Sequence, residues 1–510
     1  MIRTARRAPP RWSLDWQPWA PAAPSVSIGL NSERWPRETS ASASHPLAEP
    51  QLSAALAARA ERIRAAFAEV GPAIERAANG GYSSDAAARA ALASVGDVAA
   101  LGPLAGDWKH PVDWVARQAE LVIGVFARLV AEAGERSAML DGEPAEIVMR
   151  RFGFHAVDIA TCADGRMAGL LDHVLRVPRV IVTERRSYAG ALFPVAEAVA
   201  AWERTELRRL RNGAALEADT RFLKMGVYHF SSRDPSHEGC AAHGSDDRQA
   251  AGMLLERLDA FAAAIARRYG NSAKTATLLA GHDTDTDSLR VHVPNAEGRA
   301  AVDRFVCARY LHDATAGMAR EEAKQHIRQA VAECMGVAAD DAATEGIRWF
   351  CGYILKNNIA QVAAVRALYG GYYPDGGHEE RLIVLGDPID DVQLRNLAFQ
   401  AQGRSVEERA GDLAVGVRIL GQRLSAEGLA VPVLVSRTFD PDIPGDERDA
   451  EADALRMKAA VAARFPPNNG LRVQPVAAVR PATGGPLRFV HENSTRRGHS
   501  GPCGCGGHRP

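Results

Sequence analysis

At 510 residues and a net charge of −1, the chain is long enough for about three domains, and nothing in its total charge suggests wholesale binding to nucleic acid or to an anionic membrane. Hydrophobic residues make up 46% of it, as in ordinary globular proteins, and no stretch approaches the roughly 20 apolar residues that a membrane-spanning helix needs. The seven cysteines are few and irregularly spaced, which argues against a disulfide framework. Any special cysteines are therefore expected to be metal ligands or nucleophiles.

Residues 1–45 are rich in Pro, Ala, Ser and Arg, lack periodicity, and predict a disordered tail. They have no apolar run of the kind that a secretory signal contains. Arginine and tryptophan, the residue types that dominate binding hot spots, recur along the segment. The tail is therefore either a passive leader or a segment that folds onto a partner. The tryptophans are Trp12, Trp16, Trp19 and Trp35.

Residues 46–147 predict a helical domain. The stretch "AEPQLSAALAARAERIRAAFAEVGPAIERAA" repeats apolar residues at three- and four-residue spacing, and "DWVARQAELVIGVFARLVAEA" does the same. Between them, Ser83, Ser84 and Asp85 offer N-caps for another helix. Because no residue set here suggests chemistry, we interpret this part as a domain for packing or assembly.

From residue 148 onward, short runs rich in Val and Ile alternate with amphipathic helices. The apolar runs are "GFHAVDIAT", "VPRVIVTERR", "RFLKMGVYHF" and "TATLLAGHDTDTDSLRVHVP", with helices over 192–211 and 247–268. This alternation predicts an α/β layer fold with a largely parallel sheet. In such sheets, ligands bind beyond the carboxyl ends of the strands.

A similar alternation of apolar runs and a helix begins after residue 380. It consists of "RLIVLGDPIDDV", a helix near 406–427 and "LAVPVLVSRTFDP". The last of these echoes the earlier "LKMGVYHFSSRDP", which indicates a degenerate copy of the first α/β unit. Its matching positions hold no cysteine or histidine, so the copy is expected to bind no metal. The predicted division of the chain is a tail (1–45), a helical domain (46–147), a catalytic domain (148–379), a degenerate copy (380–490) and a Gly/Pro-rich tail (491–510) that contains Cys503, Cys505 and His508.

Three residues of the first α/β unit suggest a metal site. Cys162 ends one strand, His229 ends the next strong strand, and Cys240 follows in the small-residue loop "SRDPSHEGCAAHGS". Two thiolates and an imidazole suit tetrahedral zinc, and sulfur ligands disfavour Mg²⁺ or Ca²⁺. Three protein ligands leave the fourth position to water, which is typical of a catalytic zinc site.

The alternation Cys162-x-Asp164-x-Arg166 suggests two further roles. Asp164 is placed to accept a hydrogen bond from the water on the zinc, and Arg166 can hold that carboxylate away from the metal with a bidentate ion pair. Two anionic sulfurs neutralise the charge of the metal more than three imidazoles would, so the pKa of the bound water is expected to be higher than at an all-histidine site. We therefore expect an alkaline activity optimum.

Other interpretations compete at each position. A buried cysteine near an ion pair also occurs by chance, and His237 forms with Cys240 the H-x2-C spacing that is usual in zinc sites. We favour His229, since the sheet can orient a strand-end side chain while His237 lies in a loop. His155, His243 and His282 either support the metal ligands or shuttle protons, or they are structural histidines.

Several long motifs in one order resemble the carboxysomal shell carbonic anhydrases, a divergent lineage related to the β-carbonic anhydrases. They are "FHAVDIATCADGR", "KMGVYHFSSRDPSHEGCAAHGSDD", "GHDTDTDSLRVHVP" and "GGHEERLIVLGDPIDDVQLRNLAFQAQ". The resemblance covers about residues 150–440 strongly. It implies an N-terminal helical domain, a zinc domain similar to β-carbonic anhydrase and a C-terminal copy that has lost its zinc site.

The resemblance also implies a reaction and a set of residues. Zinc, one per chain, would be held by Cys162, His229 and Cys240, with Asp164 and Arg166 as the catalytic pair. The reaction would be interconversion of bicarbonate and CO2 by attack of zinc-bound hydroxide on CO2. Ordinary β-carbonic anhydrases carry H-x2-C, so the resemblance implies an insertion between His229 and Cys240. His237 would then have the H-x2-C spacing without being a zinc ligand. His378 in "GGHEER" is a further residue that could approach the site.

The implied setting is an α-type carboxysome within the bacterial cytoplasm, where the enzyme would feed CO2 to Rubisco. The N-terminal tail would bind Rubisco or shell proteins, and the enzyme would be a homodimer or a higher homo-oligomer. Two other classes of function stay open at this point. One is a scaffold that recruits Rubisco and has a structural zinc site, and the other is a zinc hydrolase for a larger substrate.

Overall fold

The computed structural model describes most of the chain from residue 45 onward. The described ranges are 45–78, 114–131, 139–140, 143–213, 220–270, 273–374, 379–389, 395–467 and 471–490. The predicted N-terminal tail, the helix expected after Ser83 and the C-terminal tail lie outside them. The described cysteines are all free. No described helix is long and apolar enough to cross a membrane.

Helices and strands are numbered here in chain order. The helices are α1 (Pro50–Ala78), α2 (Trp114–Ala131), α3 (Ala145–Arg151), α4 (Val195–Arg211), α5 (Asp247–Tyr269), α6 (Ala308–Thr315), α7 (Arg320–Met335), α8 (Glu345–Tyr369), α9 (Ala410–Ala426) and α10 (Asp446–Arg464). The strands are β1 (Met139–Leu140), β2 (Glu143–Pro144), β3 (Phe154–Cys162), β4 (Val182–Tyr188), β5 (Arg221–Phe230), β6 (Thr275–Asp283), β7 (Leu289–His292), β8 (Val306–Cys307), β9 (Leu382–Gly386), β10 (Ala398–Gln402), β11 (Val431–Phe439), β12 (Val473–Pro481) and β13 (Arg488–Val490).

The helices α1 and α2 pack against each other and against the rest of the protein. The apolar face of α2, including Leu121, Val125 and Phe126, joins one core cluster with Leu434 and Val476 of the second sheet. A helix with a single apolar face gains most of its stability from such tertiary burial. The N-terminal helices therefore cover one face of the C-terminal α/β unit.

The first sheet has six strands in the order β4-β3-β5-β6-β7-β8. Strands β4, β3, β5 and β6 are parallel, and β7 and β8 continue the sheet antiparallel. Every residue of β3 is buried, as expected for a central strand that is covered on both faces. Since β3 and β5 are parallel neighbours, their carboxyl ends meet at one edge of the sheet.

The second sheet repeats this arrangement. Its order is β10-β9-β11-β12-β13, with four parallel strands followed by one antiparallel strand. The parallel strands of both sheets thus have the same spatial order. The strand that comes second in the chain lies at the edge, the first lies beside it, and the third and fourth follow. The predicted fold class, an α/β unit followed by a degenerate copy, is confirmed.

In the second unit, an ion pair lies at the strand ends that correspond to those carrying the candidate metal ligands in the first. Asp387 directly follows β9 and bonds to the Arg437 guanidinium at 2.9 Å and to the Thr438 amide at 2.7 Å. Neither strand end carries a thiol or an imidazole. The second unit therefore lacks the donor atoms for a similar site there.

Candidate metal centre

The three candidate ligands lie at the carboxyl edge of the first sheet. Cys162 is the last residue of β3, and His229 is the residue before the last of β5. Cys240 lies in the loop after β5 and immediately precedes a short 3₁₀ turn, Ala241–His243. The two strands fix two of the side chains, and the loop returns the third to them.

The ligand atoms of Cys162, His229 and Cys240 all lie within 4.8 Å of one another. The two Sγ atoms are 3.9 Å apart. All three residues are buried, with at most 5% of their surface exposed. A set of two thiols and one imidazole, which the sequence distributes over 79 positions (162–240), is thus brought to one point.

The unsatisfied nitrogens of His229 indicate that this group suits a metal ion. Within the described part of the chain both Nδ1 and Nε2 are buried and neither makes an aligned hydrogen bond, although Nε2 lies 3.1 Å from Asp164 Oδ2. Buried polar atoms nearly always have such partners, and those without them call for an explanation such as an ion. A soft cation bound by both sulfurs and by one nitrogen of His229 would satisfy the site.

The two thiols influence each other's ionisation. A hydrogen bond with Cys162 lowers the pKa of Cys240, and the backbone amides of Ala242 and His243 lower it further. The same contact with Cys240, together with burial, raises the pKa of Cys162. Of the two thiols, Cys240 is therefore the one that more readily becomes the thiolate, which is the form that binds metals.

Asp164 and Arg166 form a buried bidentate ion pair beside these ligands. The Arg166 Nε donates to Asp164 Oδ1 at 3.0 Å and Nη2 donates to Oδ2 at 2.8 Å. Burial alone would lower the pKa of Arg166, but the Asp164 charge raises it above its usual value. Asp164 Oδ2 also lies 3.1 Å from Nε2 of His229. The pair thus presents a fixed carboxylate directly next to a candidate ligand.

His237, the rival ligand in the H-x2-C spacing, lies on the surface. Its side chain is 79% exposed, and its Nδ1 bonds to Asp234 at 2.9 Å. It is absent from the group of ligand atoms that meet at the sheet edge. The loop between His229 and Cys240 carries His237 outward, because a turn at Asp234 redirects the chain.

The other histidines have different surroundings. His155 bonds to Glu206 and Thr220 through its two ring nitrogens. His243 bonds to the Gly190 carbonyl oxygen at 3.1 Å, and His282 bonds to Asp287 at 3.0 Å. His378 lies outside the described residues.

Residues of the second unit also reach this site, which the sequence did not suggest. The backbone amides of Asn396 and Gln400 donate to the carbonyl oxygens of Gly165 and Ala163, each at 2.9 Å. Glu380 is fully buried and accepts a hydrogen bond from the Gly165 amide at 3.0 Å. No sequence signal distinguishes such residues, since an acidic residue just before a strand is ordinarily exposed.

Fold and site together define a tandem α/β protein with a buried Cys2His group and an Asp–Arg pair beside it in the first unit. Two family models match the chain in succession. Carboxysome Shell Carbonic Anhydrase, catalytic domain, matches residues 144–378, and Carboxysome Shell Carbonic Anhydrase, C-terminal, matches residues 379–482. The chain belongs to the carboxysome shell carbonic anhydrase family.

Individual relatives agree with this assignment. The chain is 41% identical over 325 residues to the carboxysome shell carbonic anhydrase of Hydrogenovibrio crunogenus, an alignment that covers 63% of this chain and 61% of that protein. It is 42% identical over 321 residues to the protein of that name from Halothiobacillus neapolitanus, covering 61% and 62%. The Parasynechococcus marenigrum protein is 36% identical over 433 residues, covering 82% and 74%. The chain thus spans about three fifths of the length of the first two relatives.

Proposed function

We propose that this chain is a zinc-dependent carbonic anhydrase, a lyase that interconverts CO2 and bicarbonate. The observation that carries the proposal is the convergence of Cys162, His229 and Cys240 at one sheet edge beside the Asp164–Arg166 pair. The family that the chain belongs to is named for this activity. A small apolar substrate also suits a site that is enclosed in the core cluster containing both cysteines.

In this proposal, Cys162, His229 and Cys240 hold one zinc ion per chain. Bound zinc would supply hydroxide near neutral pH by lowering the pKa of a water molecule in the fourth position. The chain itself contributes a closed, buried environment in which electrostatic interactions are stronger than in water. The two strand-end ligands are fixed before the metal arrives, because the sheet holds their backbones.

Asp164 would accept the hydrogen bond of the reacting water, and Arg166 would hold Asp164 in place. The bidentate contact fixes both carboxylate oxygens, so Asp164 does not turn inward to become a fourth ligand. Arginine suits this task because its planar group matches a carboxylate with two parallel hydrogen bonds. The pair therefore orients a proton acceptor and would keep that carboxylate off a bound metal.

The cellular setting is part of the same proposal. The relatives are named for the carboxysome shell, which supports a carboxysomal location for this chain. In this proposal the carboxysome is of the α type, and the chain supplies CO2 to Rubisco there. Residues 1–45 would bind Rubisco or shell proteins through their arginines and tryptophans, and the chain would form a homodimer or higher homo-oligomer. The proposed domains of the chain are the helical domain 46–147, the catalytic domain 148–379 and the degenerate copy 380–490, between the tails 1–45 and 491–510.

Zinc analysis combined with stopped-flow CO2 hydration across pH tests the function. We expect about one zinc per chain in the wild type, rapid turnover that increases with pH, and loss of both in Cys162→Ala. Cys334→Ala is the matched control, since Cys334 is not one of the three candidate ligands. This variant should retain zinc and turnover. Wild-type protein without stoichiometric zinc, or full turnover in Cys162→Ala, would overturn the proposal. Zinc binding without any turnover would favour the scaffold interpretation.

A further inference from the structure

The loop that carries Asp164 and Arg166 is held from outside its own domain. Its residues 163–166 receive hydrogen bonds from the amides of Asn396 and Gln400 on the second unit. Gln400 belongs to β10, the edge strand of the second sheet, and Asn396 lies just before that strand. The loop is therefore paired with the second unit much as a neighbouring strand would be.

One side chain of the second unit enters this contact. Glu380 lies two residues before β9 and is 0% exposed, and its Oε1 accepts a hydrogen bond from the Gly165 amide at 3.0 Å. Burying a carboxyl group costs free energy unless hydrogen bonds compensate it. A buried acid with this placement indicates a specific task rather than general solubility.

Glu380 also acts on Arg166 electrostatically. The charges of Asp164, and after it Glu380 and Asp285, raise the pKa of the fully buried Arg166. The guanidinium of Arg166 is thus surrounded by more than one acidic group. This surrounding charge favours the protonated guanidinium, which is the form that donates both hydrogen bonds to Asp164.

Packing at Gly165 leaves no freedom between the loop and Glu380. A Cβ atom on Gly165 would lie 2.7 Å from the Glu380 Cγ and 2.8 Å from the Ala398 carbonyl oxygen, which is closer than side chains approach. The residue between Asp164 and Arg166 therefore contacts the second unit directly. A shift of either surface would move the pair with it.

We propose that Glu380 is a positioning residue for the Asp164–Arg166 pair, so that the second domain, which lacks a metal site of its own at the matching strand ends, completes the active site of the first. Glu380 acts through the loop, by accepting the Gly165 amide, and it is not placed among the metal ligands. This inference rests on the proposed carbonic anhydrase function. Misplacement of a catalytic group by about 1 Å can cost two orders of magnitude in rate, which is the effect that the contact would prevent.

Two variants of similar size separate the hydrogen bond from simple packing. Glu380→Gln keeps an oxygen that can accept the Gly165 amide, and Glu380→Met fills the space without an acceptor. Asp412→Asn is the matched control, because Asp412 accepts the Ala189 amide at 2.7 Å in another contact between the two units. All variants are compared as full chains with their zinc content measured.

Hydrogen–deuterium exchange of the peptide containing residues 163–169 provides a readout that is independent of activity. We expect Glu380→Met to increase exchange at the Gly165 amide and to lower kcat by about tenfold or more, with KM and zinc content unchanged. Glu380→Gln should keep wild-type exchange and a kcat within about threefold of wild type. The control variant should match wild type in both measurements.

The inference would be wrong if the Gln and Met variants behaved alike. If both variants kept the wild-type exchange and kcat, the hydrogen-bond acceptor at position 380 would not be needed. If both lost kcat to the same extent, an acceptor there would not be enough to position the loop. Either result, with an active wild type, leaves the proposed function intact. A wild-type chain without zinc or turnover would instead overturn the proposed function itself.

Discussion

Arg166 holds both carboxylate oxygens of Asp164, through Nε at 3.0 Å and Nη2 at 2.8 Å, and the backbone amide of Arg166 adds a third hydrogen bond to Oδ1 at 2.8 Å. Both residues are buried. Asp164 therefore has one orientation, determined by a residue only two positions away. Its Oδ2 remains 3.1 Å from His229 and so faces the candidate metal ligands.

Arg166→Lys should lower kcat for CO2 hydration by about two orders of magnitude, the effect typical of losing one preorganised polar group in an active site. Lysine retains the charge but cannot form two parallel hydrogen bonds to Asp164. Stopped-flow kinetics with zinc content measured in parallel checks this prediction.

A second buried ion pair provides the control for Arg166→Lys. Lys224 and Asp158 lie 2.7 Å apart on neighbouring strands of the same sheet, with side chains 3% exposed. Asp158→Asn should reduce stability but leave kcat of the folded enzyme unchanged. An Arg166→Lys enzyme with wild-type kcat would show that bidentate geometry is not required.

Much of this site could be predicted from the sequence because strand ends carry its chemistry. Apolar runs ending at Cys162 and His229 indicated two parallel strands, and parallel strands bring their carboxyl ends together. The contribution of Glu380 could not be predicted, because it depends on how two units of the same topology pack. The pairing of Asp387 with Arg437 in the second unit could not be predicted either, because it depends on tertiary structure. The absence of thiols at those strand ends could be read from the sequence.

Gly165→Ala should displace the loop that carries Asp164 and Arg166 and should lower kcat. The added methyl group would clash with the Ala398 carbonyl oxygen at 2.8 Å, a backbone atom that moves only with its strand. Overpacking of this kind typically costs about 1–3 kcal/mol of stability. Urea denaturation and CO2 hydration kinetics measure the two effects.

Gly252→Ala is the control for that substitution. Gly252 lies in α5, and beyond the backbone of its own helix and its two chain neighbours no heavy atom lies within 4 Å of an added Cβ, so alanine should stabilise the helix by up to about 1 kcal/mol. Its kcat should equal that of wild type. Equal behaviour of the two variants would contradict the close contact at Gly165.

His229→Ala should lose zinc, whereas His237→Ala should keep it. His229 is buried beside both thiols, and the exposed His237 bonds to Asp234 instead. Competition with a chromophoric chelator gives the affinity of each variant for zinc. Loss of binding in His237→Ala alone would reverse the assignment of the histidine ligand.

Acid conditions should destabilise the fold through His292. Burial lowers the pKa of His292 from 6.5 to about 4. Its Nδ1 lies 3.0 Å from the Ala301 carbonyl oxygen and its Nε2 lies 3.0 Å from the Tyr228 hydroxyl, so the neutral ring donates to Ala301 and accepts from Tyr228. Protonation of Nε2 would remove the acceptor that Tyr228 uses.

The sign of the effect follows from proton binding. Between pH 6.5 and about 4 the unfolded chain takes up a proton at this position and the folded chain does not, so the free energy of unfolding falls as pH falls. Above pH 6.5 the stability contributed by the neutral His292 is fully present. Near pH 4 it has been lost, and the free energy of unfolding is then lower by about 3 kcal/mol. Urea denaturation at several pH values in this range measures it.

His292→Gln removes the titrating group and keeps a polar side chain, so its free energy of unfolding should depend less on pH than that of wild type. His237→Gln, which changes an exposed histidine, should keep the wild-type dependence. Because both variants retain the candidate zinc ligands, loss of metal in acid contributes equally to each curve and cancels in the comparison. The same pH slope in His292→Gln and wild type would contradict a neutral buried His292.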